Sequence, residues 1–314
     1  MRKFYGVIMT IMLIFSYSCT KNEIIIQGVD DPSTLKIQLV TPTTSTRATG
    51  YDGDSDYNEG RIKTATIGVF YEDGSLNVIK EISFNEGTAT KAVINLMSGA
   101  NQTIWVIANI EESVFNNITT KNAFENVLID LIQTTDNISM SGNIVMNIPA
   151  GEELESTVNL KRLPFKISVP SIVKDFTKGG YPNATFKINE VMLFNVNSKS
   201  TITNIGSDPV SGDSVTELCN YSEVGFESDI RHFFYGMPGD TRLIIGGLFT
   251  NNGREQYVYY PIDIKDALNN YHYEMKLTLT GPGVTNPADD YDPAKLNLKL
   301  QVVDWDSIKS EHEF

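Results

Sequence analysis

The chain reads as an all-β protein with one or two short helices, folded as two β-sandwich domains. Three observations lead there. Apolar and polar residues alternate with period two over many short stretches. Turn signals recur between them about every eight to twelve residues, the spacing of sandwich strands. A length of 314 residues suits two domains of ordinary size.

The leader comes first. Arg2 and Lys3 form a basic start, residues 4–15 an apolar run, and Ser16, Tyr17 and Ser18 lead into Cys19. Such a run is too short for a mature membrane-spanning helix and reads as a removed signal, residues 1–18. A cysteine at the cleavage point points to lipidation at Cys19 with fatty acyl chains of the palmitate type. The customary leucine three places earlier is Ser16 here. An ordinary secretory signal with an incidental cysteine is the plainer alternative. Residues 19–47 then form a propeptide around a lone strand, in which Leu35, Ile37 and Leu39 alternate with Lys36 and Gln38. The Thr/Pro/Ser run of residues 41–46 cannot readily extend that strand and places Arg47 in an exposed loop, followed by Ala48. An arginine so placed is open to a trypsin-like protease.

A first domain, residues 48–155, follows. Ala65, Ile67, Val69 and Tyr71 mark a strand, with further short strands at residues 78–84, 92–96, 104–108 and 144–148. Asp73-Gly74 and Ser98-Gly99 are turns. Phe124, Val127, Leu128 and Leu131 stand at i, i+3, i+4 and i+7, which predicts a helix capped by Thr120 or Asn122. The boundary is placed near Glu155, and a second domain, residues 156–314, begins with Val158, Leu160 and the run 165–169. Strands are expected at 186–188, 191–196, 233–235, 243–249, 257–264 and 272–280, with the polar stretch 197–219 as a loop. The last element carries Leu296, Leu298, Leu300 and Val302 on one face, alternating with Asn297, Lys299 and Gln301. Trp305 closes it.

Composition narrows the function. The formal net charge is −14, and loss of Arg2 and Lys3 with the leader makes the chain more negative still. Nucleic acid and anionic membrane surfaces are therefore poor partners. Apart from Cys19 the sole cysteine is Cys219, so no intrachain disulfide framework exists; Cys219 reads as a small apolar residue.

Catalytic and metal signatures are lacking. His232, His272 and His312 form no HExxH or His-x-His pattern, and there is no zinc-type cysteine pair, nucleophile elbow, P-loop or dinucleotide fingerprint. No cofactor and no metal site are expected, and an enzyme is the weakest reading. Residues 52–58 offer oxygen ligands at alternate positions, as a calcium loop does. Tyr57, however, stands where glycine is required and Lys63 where the closing glutamate belongs. This stretch and Asp289-Asp290-Tyr291-Asp292 read as solvated acidic loops. Tyr257, Tyr259 and Tyr260 read as cross-strand packing, with a carbohydrate platform as the alternative.

Several segments, taken in order, resemble the fimbrillins of Bacteroidales, the type V pilins. They are Ser33-Thr-Leu-Lys-Ile-Gln-Leu-Val, Thr46-Arg47-Ala48, Ala65-Thr-Ile-Gly-Val-Phe-Tyr, Trp105-Val-Ile-Ala-Asn109, Val158-Asn-Leu-Lys-Arg162 and Leu296-Asn-Leu-Lys-Leu-Gln-Val-Val-Asp-Trp305. The resemblance spans nearly the whole chain; the tail 306–314 departs from it. It implies two transthyretin-like β-sandwich domains and a surface fimbria. It also implies export as a lipoprotein to the outer membrane, cleavage after Arg47 by an arginine-specific protease, and polymerisation with other fimbrial subunits by strand exchange.

The residues support the same mechanism. A strand with Leu35, Ile37 and Leu39 on one face could fill a groove in the precursor, and a cut at Arg47 would release it. An open apolar sheet edge recruits another strand. The C-terminal strand of the next subunit would supply it by β-augmentation, head to tail, so that the contact propagates as a filament. Rival readings are a lipid-anchored minor subunit that keeps its N-terminal strand, and a surface glycan-binding lipoprotein. Asp213-Ser214-Val215 and Asp306-Ser307-Ile308 resemble O-glycosylation sites of the same bacteria; unmodified turns account for them equally.

Overall fold

The computed structural model describes residues 31–41, 59–84, 91–131, 138–209, 216–220, 232–291 and 296–304. The first part contributes β1 (Ser33–Val40), β2 (Thr64–Phe70), β3 (Leu76–Ser83), β4 (Lys91–Leu96), β5 (Gly99–Ala108), a short helix α1 (Lys121–Glu125), β6 (Leu128–Asp130), β7 (Met140–Ile148), β8 (Glu153–Asn159) and β9 (Lys161–Arg162). The later part contributes β10 (Phe165–Lys174), β11 (Thr185–Phe194), β12 (Asn197–Thr201), β13 (Gly206–Pro209), β14 (Thr216–Asn220), β15 (His232–Gly236), β16 (Gly239–Asn251), β17 (Arg254–Ala267), β18 (Tyr271–Leu279) and β19 (Leu296–Asp304). The all-β expectation holds: the described residues are mostly strands, with almost no helix.

Two sheets enclose the first core. One has the order β4-β1-β8, the other β3-β2-β5-β7-β9. Alternating side chains from both fill the space between: Leu35, Ile37 and Leu39 from β1, Ile67 and Val69 from β2, Ile94 from β4, Ile104 and Val106 from β5, and Val158 from β8. β2 departs from the half-buried pattern its alternation suggests, for it is buried on both faces. Its second face is covered by an aromatic cluster in which the Phe124 ring lies 4.8 Å from Phe115 and 5.3 Å from Phe70. Gly68 makes this approach feasible, since a Cβ there would stand 2.9 Å from the Phe124 ring.

The second core lies between sheets β15-β10-β18-β19 and β14-β11-β16-β17. Phe165, Ile167 and Val169 of β10 meet Val191 and Leu193 of β11, Leu243 and Ile245 of β16, and Tyr273, Met275 and Leu277 of β18. Phe165 meets Tyr273 edge-on at 5.9 Å, and Phe186 meets Tyr260 at 5.0 Å. Glu155, where the sequence suggests a boundary, lies inside β8 and pairs with Lys36. The first core runs on to Leu160, and the second begins at Phe165.

Two expectations are corrected. The helix predicted over Phe124 to Leu131 ends at Glu125, with Thr120 as its cap, accepting a hydrogen bond from the Ala123 N–H at 3.2 Å. Residues 128–130 instead form β6, pairing antiparallel with β12 from the later part of the chain. A helix this short has little stability of its own, so a strand partner outbids its periodicity. Ile129, absent from the helical stripe, is the buried residue, and Leu128 is exposed. The stretch 197–219, expected as a loop, contains β12, β13 and β14. Its strands are polar, so no apolar alternation marks them; Lys199 and Asp130 meet across the β12–β6 pair at 3.5 Å.

Candidate functional site

β1 is the central strand of its sheet, antiparallel to β4 and parallel to β8. Its neighbours are far away in sequence, so nothing local holds it. Its inner face is fully enclosed: Leu35 and Ile37 are 0% exposed and Leu39 is 1% exposed. Burying three such side chains is worth about 5–9 kcal/mol of transfer free energy. The outer face is polar. The Thr34 hydroxyl bonds the Asn95 side chain at 3.1 Å, and the Lys36 ammonium pairs with the Glu153 carboxylate. That hydrogen bond, with the charges of Glu153 and Glu155, raises the Lys36 pKa against the opposing effect of desolvation. At the ends, the Thr34 N–H donates to the Glu152 carbonyl at 2.9 Å and the Leu160 N–H to the Val40 carbonyl at 2.8 Å.

Without β1, β4 and β8 would each present unpaired backbone groups beside an open apolar slot. That is the property of a strand-accepting groove. The next described residue after Thr41 is Glu59, so the link between β1 and the rest of the fold runs through residues 42–58. Arg47 and Ala48 belong to that link and lie outside the described residues, as do Cys19, Ser214 and Ser307.

Glu59 is a fixed point at the far end of the link. Its carboxylate accepts from the Lys166 ammonium and from the Tyr235 hydroxyl, each at 2.6 Å, while Arg162 Nε donates to its carbonyl at 3.3 Å. Burial pushes the carboxyl up, but Lys166, Tyr235 and Arg162 together outweigh it and hold the pKa below the usual range. This cluster ties the chain behind the link to β10 and β15 of the second core. Nothing local in the sequence announces it, because the partners stand 107 and 176 residues apart.

β19 lies at the other end of the molecule. It pairs with β18 alone and is the terminal strand of its sheet among the described residues. Register places Leu296, Leu298, Leu300 and Val302 opposite Leu279, Leu277, Met275 and Tyr273, all core residues. The strand nonetheless overhangs the core. Leu298 packs partly against it, but Leu300 is 43% and Val302 47% exposed.

The remaining candidates become ordinary structure. Arg242 bonds Asp263 at 2.6 Å and Asp290 at 2.8 Å, so the loop before β19 is pinned to β16 and β17 rather than merely solvated. Tyr257 and Tyr259 pack edge-on at 5.3 Å, Tyr257 donates to Glu190 at 2.7 Å, and Tyr260 is buried with its hydroxyl on the Gly281 carbonyl at 2.9 Å. His272 shares a hydrogen bond with Ser168 at 2.7 Å. Cys219 lies in β14, opposite Val191 in register. Among the described residues no group of three or more His, Cys, Asp or Glu side chains could hold a metal ion. Among them, too, no helix is long and apolar enough to cross a membrane.

Comparison with known proteins places this arrangement. Residues 33–160, which begin at β1 and end with the first core, match the family model of the major fimbrial subunit protein (FimA). No curated protein matches the chain. Among solved structures, a fimbrilin (fimA) from Porphyromonas gingivalis W83 aligns with a TM-score of 0.65 at 18% identity, over 90% of this chain and 100% of that one. A candidate cell adhesion protein from Bacteroides eggerthii aligns with a TM-score of 0.64 at 19% identity, over 88% and 97%. The tip fimbrial protein Mfa3 from P. gingivalis, with a C-terminal truncation, aligns at 0.55 and 15%, over 88% and 100%. At such identities the structural matches show the fold alone, the β-sandwich fold of fimbrillins.

Proposed function

We propose, from the match of residues 33–160 to the major fimbrial subunit family and from the fimbrillin-like fold, that the chain is a structural pilin of a surface fimbria, exported as a lipoprotein acylated at Cys19. Its two domains correspond to the two cores, with the break between Leu160 and Phe165. An arginine-specific protease cuts after Arg47, β1 leaves with the propeptide, and β19 of another copy fills the vacated groove. Repetition head to tail builds the fibre, which serves adhesion.

One observation carries this reading. The sole described strand before the link that contains Arg47 is also the centre of a sheet, with Leu35, Ile37 and Leu39 wholly buried. A segment so held keeps the precursor closed, and its release creates a site that water cannot satisfy. The half-exposed row on β19 supports a donor role in place of a subunit that only anchors. Arg47→Ala provides the test. The variant is expected to stay monomeric and membrane-bound under conditions in which the parent forms fibres; fibres of parental length from it would overturn the reading.

A further inference from the structure

The two strands share more than period. Leu35-Lys36-Ile37-Gln38-Leu39-Val40 and Leu298-Lys299-Leu300-Gln301-Val302-Val303 carry the same residue at four of six places and an aliphatic for an aliphatic at the other two. Any two strands that cover a core agree at the inward positions, so those matches say little. The outward positions are informative, because no core dictates them. There Lys36 answers to Lys299 and Gln38 to Gln301.

The surroundings of β1 show what an outward lysine does in the groove. Lys36 pairs with Glu153 and stands in register with Glu155 on β8, with the exposed Val93 opposite on β4. Two places on, Gln38 stands opposite Lys91 and Thr157. The groove's outer rim is thus acidic at one place and basic at the next but one. Within its own sheet, register sets Lys299 opposite Lys276, a like charge, and Lys276 is already engaged with Glu274 at 3.2 Å.

We propose that residues 298–303 of one copy enter the groove of another in the register and direction of residues 35–40, Lys299 taking the place of Lys36 between Glu153 and Glu155. This rests on the strand-exchange reading and makes it specific. The donor then runs antiparallel to β4 and parallel to β8. The opposite direction would still bury Leu298, Leu300 and Val302, but it would bring Lys299 opposite Lys91 and leave the two glutamates facing Gln301. A slip of two residues one way sets Lys299 at the place of Gln38, opposite Lys91; a slip of two the other way keeps it in register with Glu153 but sets Asp304 at the buried place of Leu39, and a slip of one turns the apolar face outward. Charge therefore selects among the placements that hydrophobicity leaves equal. The match stops at Leu298. Leu296 would fall where Ser33 is buried with its hydroxyl on the Pro149 carbonyl, so residues 298–303 are the inserted unit.

The test uses full-length protein in a Cys219→Ser background, cleaved and assembled into fibres. Val93→Cys is combined in turn with Asn297→Cys, Lys299→Cys or Gln301→Cys, and mild oxidation is followed by denaturing electrophoresis. The expected result is a ladder of covalent multimers strongest for the 93–299 pair. A stronger ladder for 93–297 or 93–301 overturns the register or direction while leaving strand exchange standing. Fibres of parental length with no ladder from any pair would mean that another segment fills the groove, and strand exchange by β19 itself would fall. A second series needs no new cysteine and decides the matter if a cysteine variant does not assemble. Lys299→Glu is expected to slow elongation roughly three- to tenfold, the scale of exposed charge pairs. Adding Lys36→Glu, Glu153→Lys and Glu155→Lys is expected to restore it. Elongation unchanged by Lys299→Glu, or not restored by the swap, overturns the role given to Lys299.

Discussion

β1 and β19 are built to the same pattern and live in opposite circumstances. The inner residues of β1 are covered from both flanks and from the facing sheet, and none is more than 1% exposed. Among the described residues, the matching row on β19 has a flanking strand on one side only, and two of its members remain nearly half exposed. The same side chains therefore stabilise one strand fully and the other partly. A strand that gains by moving from the second environment to the first has a thermodynamic reason to exchange, once the first environment has been emptied.

The largest expected effect sharpens this contrast. Ile37→Asp in the uncut protein should cost about 4 kcal/mol or more, since a carboxylate would be buried without a partner. Leu300→Asp, at a position 43% exposed, should cost about 1 kcal/mol or less in the monomer, yet prevent fibre elongation. Urea unfolding followed by circular dichroism, alongside fibre length, checks both. Equal destabilisation by the two substitutions would break the contrast.

Removing residues 296–314 should leave a folded chain with its groove intact but no strand to donate, and fibres should fail to elongate. Monomer yield and electron microscopy read the two outcomes separately.

A middling effect is expected at the fixed end of the link. Glu59 has a pKa below its ordinary value, so the stability it contributes is present above the usual carboxylate range and is lost as pH falls through the lowered value. Glu59→Gln should cost about 2–4 kcal/mol at neutral pH, because it removes the carboxylate charge to which the Lys166 ammonium and the Tyr235 hydroxyl are bonded in a buried setting. It should also flatten the acid limb of the stability profile. An unchanged acid limb would remove Glu59 from the account. The smallest effect belongs to the outer face of β1. Thr34→Ala, which deletes only the bond to Asn95, should cost about 1 kcal/mol or less.

The legibility of the molecule follows the same division between inner and outer faces. Strands with one apolar face are visible in the sequence, as β1, β4, β18 and β19 are, because burial writes period two into the residues. β6 and β12 are not, since their pairing joins polar backbones across the molecule and residues 128–130 belong to a helical stripe by spacing alone. Glu155, where the sequence suggests a boundary, lies inside β8, whose continuation depends on its parallel pairing with β1 and leaves no local trace. The inner residues of the groove are readable from sequence; its rim is not, because Lys36 and Glu153 meet across 117 residues. Glu59, buried among Lys166, Tyr235 and Arg162, is hidden for the same reason, and reads in sequence as one more acidic residue after a loop.

The central claim is that the strand filling the groove in the fibre is not the one that fills it in the precursor. The intact mass and N-terminal residue of subunits released from fibres of the native host test it most directly. The account predicts subunits that begin at Ala48 and lack β1. Fibres composed of subunits that retain residues 19–47, acylated at Cys19, would contradict it.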